Sequence, residues 1–257
     1  MIALAVFGPA AIAGVATFLV TRRWPLPTAP RLGAAAVSHE LARHRRLRTL
    51  ARRRVDPAPA TGLALTAAAA LALAGVSAVG VLLAMVRTNR GLAQLDAAAA
   101  RFGADHATTA STELLRAVSQ LGGTSAVVGA AVLCLLAGRD RPATTSGFLI
   151  ALVGGQFALS NAIKLIVDRA RPDLHPLTGF AGTSFPSGHA TAATACWLGF
   201  ALLLGRRRSM RVKAVLAAVA VAVGVAVAAT RVLLGVHWLT DVLAGIGLGA
   251  AWFAVVS

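Results

Sequence analysis

The sequence predicts an all-α, polytopic membrane helical bundle, and three observations predict it. Hydrophobic residues fill 57% of the 257 positions, and mean hydropathy is +0.75. Only 13% of residues are charged, where a soluble domain carries roughly a quarter. Several stretches stay apolar for roughly 18 residues or more, the length that crosses a hydrocarbon core of ~30 Å.

Seven membrane segments are read in order. Residues 2–20 form the first, with no basic residue before them and Arg22-Arg23 after. A cleaved signal peptide needs a positive start and a small-residue cleavage site, so this segment is expected to be an anchor with its N-terminus outside. Residues 21–60 are polar and Arg-rich, from Arg43 to Arg54 above all, and are expected to form a basic loop with a surface helix in its middle. The second segment covers about 61–86. In 87–122, Leu92, Leu95 and Phe102, then Leu114, Leu115, Val118 and Leu121, recur at helical spacing, which predicts helices lying at the interface. The remaining segments are 124–137, 144–163, a helix beginning just after Ser187 and ending near Gly205, 214–229 and 241–256. The chain thus divides into an anchor with a basic loop, 1–60, and a six-helix core, 61–257. Gly245, Gly247 and Gly249 permit close helix packing in the last segment.

Orientation follows from the cations. Alternating the connections puts 17 Lys and Arg residues in 21–60, 139–143 and 206–213, and the other eight in 87–122, 164–189 and 230–240. The positive-inside rule places the first group in the cytoplasm and the second outside. The net charge of +16 is therefore a matter of topology; aromatics for base stacking are scarce, Tyr is absent, and nucleic acid is not an expected partner. Cys134 and Cys196 both lie in apolar segments and are expected to be core residues. No Cys/His cluster has zinc spacing, so no metal site is expected.

Three polar constellations fall on the expected outer side. Lys164 and Arg171-Pro172 place cations where the rule says cations should be scarce, and arginine offers bidentate recognition of phosphate. Ser184-Phe185-Pro186-Ser187-Gly188-His189 opens a helix; Ser187 can cap it, and the free N–H groups of its first turn make an anion site that Gly188 lets a ligand approach. Arg231, Gly235, His237, Trp238 and Asp241 surround the last break between helices. With His237 and Asp241 four apart, one helix face would hold both, and a carboxylate on an imidazole fixes its tautomer and leaves the other nitrogen free for attack. Each constellation alone could be helix-end decoration. All three fall on one membrane face, and a string such as Pro-Ser-Gly-His arises by chance in such a chain with odds on the order of one in a thousand. Two histidines, three cations and a carboxylate compose a site for phosphoryl transfer.

Lys164-x6-Arg171-Pro172, Pro186-Ser187-Gly188-His189 and Arg231-x5-His237-x3-Asp241 together resemble the three-part signature of the type 2 phosphatidic acid phosphatase (PAP2) superfamily, which includes bacterial isoprenyl-diphosphate phosphatases and vanadium haloperoxidases. The resemblance covers roughly 61–257. Thr230 departs from it, standing where Ser commonly precedes the arginine, but keeps a hydroxyl. The resemblance implies that His237 is a nucleophile forming a phosphohistidine, that Asp241 orients it, and that His189 protonates the leaving oxygen and then activates water. It implies that Lys164, Arg171, Arg231, Ser187 and the Gly188 N–H bind phosphate, with no metal or cofactor. The implied substrate is a lipid phosphate met at the extracytoplasmic face of the cell membrane. An isoprenyl diphosphate of undecaprenyl or decaprenyl type is favoured, with phosphatidic acid or phosphatidylglycerol phosphate as the alternative. A lipid transporter or scaffold is the alternative of another class. No paired inverted repeat with interrupted helices supports transport, and a scaffold descended from an enzyme should have lost some of the signature residues.

Overall fold

Inside a bilayer a backbone has no water to bond, so an apolar segment satisfies its N–H and C=O groups within its own helix. The computed structural model describes residues 1–23, 61–138, 142–174 and 176–257, and the regular elements among them are all helices. They are α1 (Ile2–Arg23), α2 (Thr61–Thr88), a 3-10 turn (Gly91–Leu95), α3 (Asp96–Asp105), α4 (Thr109–Gln120), α5 (Thr124–Ala137), α6 (Pro142–Val167), α7 (Gly188–Gly205), α8 (Met210–Leu233) and α9 (Leu239–Val256). The basic loop with its surface helix, expected in 21–60, lies outside the described residues beyond Arg23.

Six of these helices, α1, α2, α6, α7, α8 and α9, are long and apolar enough to cross a membrane. The crossing expected at 124–137 is different. Its 14 residues rise only about 21 Å at 1.5 Å per residue, short of the hydrocarbon thickness. It passes the same test only together with α4, and the two are bent by 43°. Sequence spacing predicts α4 at the interface; of the residues read there Leu115 is buried and Leu114 exposed, and α4 buries Thr112, Leu115 and Ser119 at helical intervals. The break comes at Gly122-Gly123. A Cβ on Gly122 would stand 2.6 Å from the carbonyl oxygen of His189 and 2.7 Å from Val227 Cγ1, so only glycine lets this turn press against the start of α7 and the side of α8.

α9 is the packing axis. Its Gly245 approaches the Ser187 carbonyl oxygen and its Gly249 that of Thr191, with ideal Cβ positions only 2.7 and 2.6 Å away. On another side, Gly247 packs against the backbone of Gly75 in α2. The small residues of the last helix therefore bring three helices of the same chain together. α1 lies along α8, with Gly14 against Ala218 and Ala222, and its first turns bury Ile2 and Val6 among Leu115, Leu233, Leu234 and Val236. Large apolar side chains such as Leu73, Ile150, Phe157 and Leu165 are exposed, as lipid-facing positions should be.

The helix ends sort by chemistry. The end of α6, the starts of α7 and α9 and the end of α8 meet at one pole of the bundle. Arg206, Arg207 and Arg208 stand at the other, where they line a cavity with Ala137, Gly138 and Thr144. The α1 start is at the first pole and Thr21 near the second, beside Arg206 and Lys213.

Candidate active site

Four segments converge at the first pole. α6 ends as Asp168 turns into the left-handed region at φ 44°, a conformation Asp tolerates better than most residues. The connection 168–187 then folds back over the bundle. Its anchors are Phe185, fully buried, Leu177 N–H donating to the Leu234 carbonyl at 2.9 Å and Ser184 N–H donating to the Arg169 carbonyl at 2.8 Å. Arg116 of α4 also donates twice to the Leu177 carbonyl. α8 ends at Leu233, and Gly235, at φ 70°, makes the turn that a side-chain-bearing residue would strain. His237 follows in that turn, its N–H bonded to the Arg231 carbonyl at 3.2 Å.

This corrects one expectation. His237 and Asp241 do not share a helix face, because α9 begins at Leu239 with Trp238 as N-cap, one residue after His237. The two meet because Asp241 reaches back from the first turn: its Oδ2 accepts from the Trp238 N–H at 2.9 Å and lies 3.5 Å from His237 Nδ1. Ser187 is also not what its position suggests. It is the N-cap residue of α7, but its hydroxyl makes no capping bond; it is fully buried and has no partner.

All eight sequence-derived residues gather here. Arg171 lies between the connection and the last turn, with Nη1 donating to the Val236 carbonyl at 2.7 Å and 3.2 Å from His237 Nε2. Its other donors go to the carbonyls of Ala181, Gly182 and Thr183, so its position is fixed before any ligand arrives. Lys164 donates to the same Thr183 carbonyl at 3.2 Å. Arg231, buried in the last turn of α8, gives Nη1 to Ser119 Oγ at 2.9 Å and keeps Nε unpartnered. His189, in the first turn of α7, lies in the electrostatic field of Arg231, His237, Lys164 and Arg171, and lines a cavity of about 420 Å³ with Gly188 and Lys164.

Sequence reasoning missed the support behind Asp241. Arg169 Nη1 donates to Asp241 Oδ1 at 2.6 Å and to Thr240 Oγ1 at 2.8 Å, while Nη2 donates to Asp96 Oδ2 at 2.7 Å. Asp96, the first residue of α3, accepts from the Thr240 N–H at 2.9 Å and its hydroxyl at 2.7 Å. Ser184 Oγ donates to Asp241 Oδ2, and the Arg169 guanidinium stacks 5.5 Å over Trp238. Arg169 stands two residues before Arg171, and Asp96 is one of only nine acidic residues; an acid inside an amphipathic stretch was the available signal.

The electrostatics point to an anion. Among the described residues, the carboxylates set against Lys164, Arg169, Arg171 and Arg231 are Asp96 and Asp241, which leaves two positive charges uncompensated. Burial, reinforced by Arg171 and Arg231 and opposed by Asp241, holds His237 down to about 4, so its imidazole is neutral. Because Arg171 donates toward Nε2, that nitrogen carries the lone pair and Nδ1 carries the proton facing Asp241. Buried polar atoms without partners cost roughly 1–3 kcal/mol each, and three of them, Ser187 Oγ, Arg231 Nε and His237 Nδ1, belong to this cluster. A tetrahedral oxyanion beside His237 would engage the first two. Among the described residues, no group of three His, Cys, Asp or Glu is placed to hold a metal ion.

The comparisons fall on this cluster. The family model of the PAP2 superfamily matches residues 143–257, which contain all eight of these residues and leave Asp96 and Ser119 outside. The chain is 33% identical over 147 residues to phosphatidylglycerophosphatase B of Bacillus subtilis, covering 56% of this chain and 72% of that one. It is 36% identical over 136 residues to decaprenylphosphoryl-5-phosphoribose phosphatase of Mycobacterium tuberculosis, covering 50% and 70%. The crystal structure of a transmembrane PAP2-type phosphatidylglycerolphosphate phosphatase from Bacillus subtilis superposes with a TM-score of 0.65 at 29% identity, over 71% of this chain and 94% of that one. Sequence, fold and relatives agree, and the chain belongs to the PAP2 superfamily as a multi-pass membrane lipid phosphatase.

Proposed function

We propose that this phosphatase removes the terminal phosphate of an isoprenyl diphosphate at the extracytoplasmic face, through a phosphohistidine on His237. The observation that supports the chemistry is a neutral imidazole in the same buried cluster as two unpartnered donors, Ser187 Oγ and Arg231 Nε. His237 Nε2 attacks phosphorus while the leaving oxygen departs on the opposite side, forming a P–N bond and breaking a P–O bond. Arg171, now donating to phosphate in place of Nε2, Arg231, Ser187 Oγ and the Gly188 N–H hold the equatorial oxygens. His189 gives its proton to the leaving oxygen, recovers one from the incoming water, and the P–N bond breaks to release inorganic phosphate. Asp241 stabilises the positive charge that develops on His237.

Lys164 favours a diphosphate. It borders both the cluster and the cavity beside His189, where the phosphate left on the lipid would lie. The outward direction of the site rests on the cation count, with Arg206–Arg208 at the opposite pole. A second reading, phosphatidylglycerol phosphate, is favoured by the Bacillus subtilis relative and its structure.

The test is phosphate release by the purified chain in detergent, with chelator present, from an isoprenyl diphosphate, phosphatidylglycerol phosphate and phosphatidic acid. The largest kcat/KM is expected for the isoprenyl diphosphate, undiminished by chelator, since fixed cations supply the charge. A larger value for phosphatidylglycerol phosphate establishes the second reading. Loss of all activity in chelator contradicts the metal-free mechanism.

The pH dependence has a definite sign. The nucleophile must be unprotonated, so kcat/KM falls as pH drops through the free enzyme's His237 value, about 4. After the substrate's own phosphate titration, near ~6, is divided out, the acid limb is expected near pH 4. A limb at the ordinary histidine value of 6.5 would contradict a desolvated, neutral His237.

A further inference from the structure

The cavity beside His189 contains a polar group that the mechanism above leaves unused. It is bounded by α5, α6 and α7, and shares with the catalytic cluster only Lys164, Gly188 and His189. His237, Arg231, Arg171 and Ser187 do not line it. It therefore begins on the flank of the transferred phosphate where His189 would meet the leaving oxygen. Its other walls are mostly apolar, except for the exposed Thr124 at the start of α5 and Gln156, Ser160 and Asn161 along α6. Gln156 Nε2 bonds the Val153 carbonyl and Asn161 Nδ2 the Phe157 carbonyl, each within its own helix. Ser160 is different: it is only 3% exposed and its Oγ has no partner. A serine inside a helix ordinarily returns its hydroxyl to a carbonyl one turn back, as Thr191 does to Ser187 in α7. Ser160 stands one turn before Lys164, and a Cβ placed on Gly188 would be 3.9 Å from its Oγ.

We infer that Ser160 is a specificity residue that hydrogen-bonds the leaving-group side of the substrate, at the first polar atoms beyond the scissile oxygen. In an isoprenyl diphosphate these are the oxygens of the phosphate that stays on the lipid; in phosphatidylglycerol phosphate they are the glycerol oxygens. Lys164 supplies the charge there and Ser160 the directed donor, since Gln156 and Asn161 already spend their amides on carbonyls of their own helix. This rests on the phosphatase reading of the site.

The experiment uses the full chain in detergent, wild type and Ser160→Ala, with thermal melts to establish that both are folded. Three readouts are compared: kcat/KM on the isoprenyl diphosphate and on phosphatidylglycerol phosphate, kcat/KM on p-nitrophenyl phosphate, whose leaving group offers no acceptor next to the scissile oxygen, and inhibition by orthovanadate. Loss of one directed hydrogen bond is expected to lower kcat/KM on both lipids about tenfold. The p-nitrophenyl phosphate rate and the orthovanadate inhibition constant are expected to stay within about twofold of wild type. Equal loss on all substrates, weakened orthovanadate binding, or no loss on either lipid overturns the assignment of Ser160 to the leaving group. A folded wild type inert on every substrate would overturn the phosphatase reading itself and this inference with it.

Discussion

Replacing His237 with alanine is expected to lower lipid phosphate hydrolysis by about 10⁴-fold or more, since the step that forms the P–N bond loses its nucleophile. The loss should appear in kcat, because the phosphate contacts proposed for Arg171, Arg231, Ser187 and Gly188 are left in place. Removing a neutral imidazole leaves Asp241 held by Arg169, Ser184 and the Trp238 N–H, so the fold should survive and orthovanadate should still bind. His189→Ala is expected to behave differently. With a leaving group that needs no proton, such as p-nitrophenolate, the first step proceeds and the second stalls for want of a base. Rapid quench with ³²P-labelled substrate should then trap an acid-labile, base-stable phosphoenzyme in His189→Ala and none in His237→Ala. Label on a different residue, or hydrolysis by His237→Ala above a hundredth of wild type, would remove His237 from the nucleophile's role. Survival of lipid transfer without hydrolysis would favour the transporter alternative.

The fold class was legible because membrane spans are written in length and hydropathy, and α1, α2 and α6 to α9 stand close to where apolar runs place them. The α4–α5 bend was not. Its cause is the contact of Gly122 with His189 and Val227, residues 67 and 105 positions away, and no local pattern encodes that approach. Within the site, the roles proposed for the eight motif residues read directly from residue type: cations for phosphate, imidazoles for transfer. Two local inferences failed for the same reason. Ser187 at a helix start normally caps it, and residues four apart normally share a helix face; here the site needs the hydroxyl free and the imidazole in a turn. The Asp96–Arg169 support stayed hidden because it joins α3, the connection after α6 and the start of α9, and nothing in the spacing of Asp96, one of three acidic residues in 87–122, announces its partner.

That support yields the other large effect. Arg169 is shared between two buried carboxylates, and Asp96 also holds the Thr240 N–H and hydroxyl, so the start of α9 and the Asp241 side chain are fixed as one unit. Breaking a buried ion pair by removing one partner typically costs ~3–5 kcal/mol, because a charge is left unpaired. Arg169→Gln strands two carboxylates and is expected to cost at least that in stability, measured by thermal or denaturant unfolding in detergent, with a loss in kcat of about 100-fold where it remains folded. Stability alone does not distinguish positioning from scaffolding, but the acid limb does. Arg169→Gln removes a cation near His237 and favours its protonated form, so the limb should move to higher pH. Asp96→Asn removes an anion from the same unit, so the limb should move to lower pH, with a smaller loss in kcat because asparagine keeps one acceptor for Thr240. The double variant should lose less than the sum of the two, since each change relieves the charge the other strands. Strict additivity, with both single variants keeping the wild-type acid limb, would mean that Arg169 and Asp96 hold the helices together without setting the electrostatics of His237.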